Sequence, residues 1–396
     1  MLAVLALAAC GGGSSPSPSP SPSPAPPPSD GSVVLEAAPE SGWAAGATGG
    51  QAATASSVYT VSTATELLAA ISAGDGKPVI IKVSGTIDMA AADNGGAFTS
   101  RSDQSTRSRV PLKSNTTLIG AGTDAALVNG WILIRSVDSV IVRNLRIVNP
   151  CDVAPDWDPD DGDTGNWNGE FDGLTIEGAT HVWIDHNTFT DAPLTDDKLP
   201  IENGKTKQCH DGALDIKSGA DYVTVSSNLF DRHDKNNLVG SSDSAASTDE
   251  GHLRVTFTGN RFSAITQRAP RVRFGQVHVF NNLYEGSKSD AAYPHAYSLG
   301  VGYKARIIAE NNVFEITGAT GCADIATNPG SSSKKGAITD SGSTLNGAAL
   351  SLSACSFDTA VGWTVPYAYQ SVLLPASGVA ASVRANAGAG KLSVPL

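Results

Sequence analysis

Residues 172–189 read DGLTIEGATHVWIDHNTF, and residues 211–230 read DGALDIKSGADYVTVSSNLF. Both open on Asp-Gly, pass through a short strand, a turn and a second strand, and close on Asn-x-Phe. Asn-x-aromatic returns at Asn187, Asn228, Asn260, Asn282 and Asn312, with separations of 41, 32, 22 and 30 residues. The basic period is therefore about 22 residues, lengthened by insertions. Runs such as VIIKVSG, SVIVRNLRIV, LRVTFTGN, QVHVFNN and ARIIAENN are short and β-branched, as strands are. One strand cannot bury its own inner face. Repeats stacked in register about 4.8 Å apart can. The pattern predicts an all-β parallel β-helix, a single-stranded solenoid whose recurrent Asn side chains stack at the turns. A β-propeller would need more even units of about 40 residues. Upstream, TATELLAAISA (63–73) places Leu67, Leu68 and Ile71 at helical spacing. It predicts a short N-terminal helix capping the stack.

The whole chain has 396 residues, a net charge of −12, 40% hydrophobic and 17% charged residues. This suits a β-rich globular body and offers no basic surface for nucleic acid. Residues 1–10, MLAVLALAAC, read as a lipoprotein-type signal segment with Cys10 as the lipidated residue, although no Lys or Arg precedes the apolar run. They are too few to span a bilayer as a helix. Residues 11–32 alternate Ser and Pro, favour polyproline II and form a tether of roughly 60 Å. Residues 33–396 then form one domain. A secreted, surface or periplasmic location with a lipid anchor is expected, as is a monomer. An exported chain can oxidise Cys151, Cys209, Cys322 and Cys355. The pairs Cys151–Cys209 and Cys322–Cys355 avoid a long-range crossing and are the expected ones among three pairings.

Asp172 and Asp211 hold matching places in the repeat, and stacking brings them together. Asp215 is four residues from Asp211, an even step that keeps both on one strand face. Three like charges without an evident internal counter-charge call for a cation, and hard oxygen ligands suit Ca²⁺. The plainer alternative is three separate turn residues. CDVAPDWDPDDGDTGNW (151–167) holds six more Asp. Its glycine falls one place late for an EF-hand, so it reads as a solvated loop, or as an accessory Ca²⁺ site.

ITQRAPRVRFG (265–275) gathers Arg268, Arg271 and Arg273 in an acidic chain. Arg271 is an odd step from Arg268 and is predicted to face the other way. Arg268 and Arg273 are also an odd step apart, so Pro270 must break the strand alternation if both are to act together. The seven histidines form no metal pattern, and His186 and His233 read as structural. No nucleophile-elbow, phosphate-loop or dinucleotide motif is present.

VWIDHNTF, DGALDIKSGADYVTVSSNLFDRHDKNNLVGSSD and RAPRVRFGQVHVFNN closely resemble the signature stretches of the family 1 pectate lyases. The resemblance runs from about residue 58 to about residue 314, and more loosely to the end. It implies a right-handed parallel β-helix that cleaves polygalacturonate by β-elimination with Ca²⁺. Carried over by motif, it implies Asp172, Asp211 and Asp215 as Ca²⁺ ligands. It implies Lys235 and Arg273 as substrate-binding residues, Arg268 as catalytic base, and an alkaline optimum. The rivals are a Ca²⁺-free pectin lyase on methyl-esterified chains, a hydrolase, and a non-catalytic Ca²⁺-dependent pectin-binding β-helix. Intact Asp211 and Asp215 and an aromatic content of 6% count against the first. The basic set does not suit the acid–base pair of a hydrolase. The C-terminal segment 361–392 is expected to pack back along the helix.

Overall fold

The computed structural model describes Met1, residues 30–330 and residues 333–396. Cys10, the rest of the expected signal segment and the linker up to residue 29 lie outside the described residues.

The chain winds through coils of three short parallel strands, which stack into three sheets. Sheet I has ten strands, from Val58–Val61 to Ala337–Ser341. Sheet II has ten, opening with Thr86–Asp88, and sheet III has eight, from Arg109–Leu112 to Ala326–Thr327. One coil runs Leu174–Glu177, Thr180–Asp185 and Thr188–Thr190 through sheets III, I and II. The next runs Leu214–Lys217, Asp221–Ser226 and Leu229–Lys235. Register is strict, with Leu174 on Leu214, Val182 on Val223 and Phe189 on Phe230. This is the expected right-handed parallel β-helix. The aromatic of each Asn-x-aromatic unit proves to be the second residue of a third strand.

Alternation sorts the side chains. Leu174, Ile176, Val182, Ile184 and Phe189 are fully buried, as are their counterparts in the next coil. The aromatics form one column, Phe189–Phe230–Phe262–Tyr284–Phe314, with centroids 4.4–5.0 Å apart. Stacking at coil spacing is an arrangement aromatic rings tolerate well.

The turn from sheet I to sheet II is closed by the recurrent asparagines. Asn187, Asn228, Asn260 and Asn282 each donate from Nδ2 to Oδ1 of the next, at 3.0–3.1 Å. That same Oδ1 accepts the backbone N–H of the preceding Asn at 2.9–3.1 Å. Nδ2 also reaches a carbonyl one coil back, as Asn228 does at Ile184 (2.9 Å). Every ladder member is buried, so these bonds satisfy groups that would otherwise be costly. The residue before each is left-handed: His186, Ser227, Gly259, Asn281 and Asn311 have φ of 50–65°. Such conformations cost of order 1 kcal/mol outside glycine, which the ladder offsets.

The expected helix is Ala64–Gly74, with Leu67 and Ile71 buried against the first strands and Leu68 half-buried. Thr63 caps it, and Glu66 reaches back to the Ser62 N–H at 2.8 Å. Two further segments bind the outside of the coils. Backbone N–H groups of Trp43, Ala44, Thr48 and Gly50 bond to Thr256, Thr224, Ser139 and Thr117 in four sheet I coils, at 2.9–3.0 Å. The C-terminal segment packs back along the helix, as expected. Val379 and Val383 lie on Leu283 and Val313 of sheet II. Farther on, Gly388 N–H bonds to Ser227 and Gly122 N–H to the Val394 carbonyl. Both expected disulfides, Cys151–Cys209 and Cys322–Cys355, are formed.

Asn228→Ala should cost about 2–4 kcal/mol in urea unfolding, because it strands buried groups in two neighbouring coils. An unchanged midpoint would show that the ladder is incidental.

Candidate active site

The outer face of sheet III carries the chemistry. Thr175, Asp215, Leu238, Arg271 and Gly300 stand in register in one column. Asp172 comes just before the strand of its coil, and Asp211 before the next. Asp172 is buried, accepting from Gly212 N–H at 3.0 Å and from the Thr175 hydroxyl at 2.5 Å. Asp215 is buried and accepts from Leu238 N–H at 3.2 Å. A Cβ on Gly212 would lie 2.4 Å from Asp215 Oδ1 and 2.8 Å from Asp172 Oδ1. Both carboxylates thus close over a place only glycine leaves free. Asp211 is near enough for its charge to act on both, so the sequence-predicted trio shares one neighbourhood, but the Leu174–Leu214 register sets Asp211 one place short of the position matching Asp172.

One expectation is corrected. The trio has an internal counter-charge, Lys217, whose Nζ is 3.3 Å from Asp172 and 3.6 Å from Asp215. Lys217 lies two residues after Asp215, an even strand step, so the signal was present in the sequence. Burial opposes its charge, but Asp172 and Asp215 hold its proton more tightly than usual. One lysine does not balance three carboxylates. Burial and then the Asp215 charge push Asp172 well above the ordinary carboxylate range. Burial also raises Asp215; Lys217 opposes this and Asp211 adds to it. Buried oxygen donors that resist ionising for want of positive charge are a fitting bed for a hard divalent cation.

Lys235 ends the strand Leu229–Lys235, and its Nζ is 3.6 Å from Asp211 and 3.3 Å from Asn168 Oδ1. Asn168 directly follows the acidic run, and with it forms an antiparallel hairpin pairing Asp156–Asp158 with Asn166–Asn168. Trp157 and Trp167 pack edge-on at 5.4 Å, and Arg101 pairs with Asp156 and Glu170. Most of the hairpin's aspartates face solvent, the plainer of the two readings. Asp152 is the exception: buried, it accepts from Glu170 N–H at 2.6 Å, and burial pushes it up to about 7.

Strand Arg261–Gln267 stops at Arg268, which takes φ 60°, and the chain resumes as Arg271–Val272. The left-handed residue breaks the alternation the sequence reading attributed to Pro270. It also overturns the expectation for Arg271. That side chain does not turn away but joins the cluster, where it feels the charges of Arg273 and Arg268. Arg273 nests against Gly240, donating to its carbonyl at 3.0 Å and to Asp243 at 2.9 Å. Arg268 is half-buried, its Nε bonded to nothing, and its charge favours the ionised form of Asp215.

His186 and His233 are structural, as expected. His186 Nδ1 is 2.6 Å from Asp185, and His233 Nδ1 is 2.8 Å from Asp191. Burial opposes the charge on His233, but Asp191 beside it lifts the imidazole to about 9. His210 Nδ1 stands 3.7 Å from both Asp191 and Asp196, a buried grouping that sequence spacing did not reveal.

A family model described as pectate lyase matches residues 30–392. Pectate lyase D of Dickeya chrysanthemi is 43% identical over 362 residues, 90% of each chain. A pectate lyase of Bacillus subtilis strain 168 is 40% identical over 395 residues, covering 89% of this chain and 92% of its own. A solved structure described as pectate lyase bound to hexasaccharide superposes with a TM-score of 0.86 at 37% identity. That match spans 91% of this chain and 99% of the other. Fold and likeness together make this protein a polysaccharide lyase of the parallel β-helix class. Within that class, the chain belongs to polysaccharide lyase family 1, the pectate lyases.

Asp215 holds its proton more tightly folded than unfolded. The folded state gains from this below about pH 4, the ordinary carboxylate range, and loses it as pH rises through the raised value. With a chelator present, Asp215→Asn should therefore unfold at higher denaturant than the parent at pH 8. The two should converge at pH 4. A variant less stable at both pH values would contradict this electrostatic account.

Proposed function

We propose that the protein cleaves α-1,4-linked polygalacturonate by β-elimination with Ca²⁺, releasing unsaturated oligogalacturonates. The observation that carries this is the under-neutralised trio of Asp172, Asp211 and Asp215, set beside Lys235 and an Arg268 that has no ion-pair partner among the described residues. Asp172, Asp211 and Asp215 would hold the ion. When bound, Ca²⁺ would supply positive charge that eases charge build-up on a uronate carboxylate.

The protein's own groups account for the rest. Lys235 and Arg273 bind uronate carboxylate and orient the sugar, for which an arginine fork is geometrically suited. Arg268 takes the proton from C5 on an unprotonated guanidine nitrogen. The electron pair forms the C4–C5 double bond as the C4–O4 bond breaks, and the leaving oxygen takes a proton from water. Charge developing on the adjacent carboxylate is met by Lys235 and Arg273. Among the described residues no carboxylate pairs with Arg268, so nothing holds its guanidinium away from substrate. A solved relative at 37% identity is described in terms of an anti β-elimination mechanism, which supports the same chemistry here. The two disulfides suit an oxidising, exported setting. That agrees with reading Cys10 as a lipid anchor and residues 11–32 as its tether.

Polygalacturonate incubated with the protein and Ca²⁺ should gain the ultraviolet absorbance of a conjugated double bond, faster at alkaline pH, and a chelator should stop the rise. Arg268→Ala should lower kcat about 10²–10⁴-fold without moving the unfolding midpoint. Chain shortening without absorbance would mean a hydrolase. Binding without cleavage would mean a recognition protein.

A further inference from the structure

Arg271 is the one cation of the arginine cluster that the reaction leaves without a task. It stands between Leu238 and Gly300 in the outer column of sheet III. A Cβ on Gly300 would come within 2.9 Å of Arg271 Cγ, so glycine there lets the arginine stem lie across the neighbouring coil. Its polar contact is a long one, 3.5 Å from Nη2 to the Pro329 carbonyl. Its Nε is buried and has no hydrogen-bond partner among the described residues. Asp243 is taken by Arg273 and, more distantly, Lys334.

Tyr297 supplies a second, independent observation. It is 93% buried at 7% exposure, yet its hydroxyl has no partner among the described residues. It lies close enough to Arg268 and Arg271 for both to act on its proton. Native folds rarely bury such donors unmatched, because stranding them is costly. An acceptor reaching both would satisfy the fork and the phenol at once. A carboxylate is that acceptor, matching a guanidinium in shape and charge.

We infer that Arg271 and Tyr297 form a further subsite, which takes a second uronate carboxylate on the sugar next to the one held by Lys235 and Arg273. The inference rests on the pectate lyase reading above. It adds a source of specificity, since a methyl ester brings no charge to the guanidinium. This subsite therefore selects the free acid. Burial, then the neighbouring Arg273 charge, lowers Arg271 to about 10, which fits a guanidinium lacking its counter-anion.

The test uses the full chain and three variants: Arg271→Ala, Arg271→Lys and Tyr297→Phe. Steady-state rates are measured on polygalacturonate and on highly methyl-esterified pectin. Arg271→Ala should raise KM for polygalacturonate roughly tenfold, the loss expected of a charged hydrogen bond, with kcat within about twofold. Its preference for unesterified substrate should fall by a similar factor. Tyr297→Phe should shift both quantities the same way by a smaller amount, and Arg271→Lys should restore only part. Calorimetric binding of saturated trigalacturonate to Arg268→Ala protein, with and without Arg271→Ala, reads the subsite without turnover. If Arg271→Ala fails to fold, Arg271→Lys and Tyr297→Phe decide the question by the same criteria. A parent enzyme that produces no double bond would sink the lyase reading and this inference together. An active parent whose variants keep its KM, ester preference and oligosaccharide affinity would overturn the subsite alone.

Discussion

A buried amide column holds this molecule in shape. At the corner between sheets I and II, the chain must turn sharply and do so identically in each coil. A left-handed residue makes the turn, and the following asparagine secures it by bonding to the coils on either side. Because each Asn reads the position of the next, register cannot slip by one residue without breaking the whole column. The aromatic stack two residues on, and the strict pairing of sheet III, follow from that fixed corner. A slip would also reverse inside and outside on every strand.

Fixed register is what makes the active site possible. Asp172 and Asp211 lie 39 residues apart in sequence and come together because adjacent coils stack, although the Leu174–Leu214 register sets Asp211 one place short of Asp172. The site they build is unfavourable by itself: two carboxylates are driven toward their neutral forms, and two arginines carry unbonded Nε atoms. A rigid solenoid can tolerate this because its stability resides in the hydrophobic interior and the ladder, on the other side of the strand. The alternation of strand side chains separates the two tasks, residue by residue.

Much of this was legible in the sequence, for reasons that can be stated. The Asn-x-aromatic period exposed the stack because the ladder demands the same residue in each coil. The carboxylates could be grouped because the repeat put them in adjacent coils, although one extra residue before Leu214 sets Asp211 off the position of Asp172. Two things were missed. Lys217 was overlooked although it sits an even step from Asp215. Arg271 was sent to the wrong face because alternation holds only while φ stays in the β region, and Arg268 leaves it. No residue pattern announces a non-glycine left-handed position. Nor did spacing suggest that Asp191, Asp196 and His210 would gather, since insertions of unrelated length bring them together.

The C-terminal segment has a consequence of a different kind. It runs from the far coils back past Ser227 and Thr188 to Asn144, and Lys82 near the start of the stack donates to the carbonyl of Pro395. Its length is thereby matched to the number of coils it crosses. A solenoid without such a return can gain or lose a unit freely. Here the tail acts as a gauge: adding or deleting one coil would throw its far contacts out of step. Evolution of this protein is then free to vary the loops that leave the coils, but the coil number itself is locked.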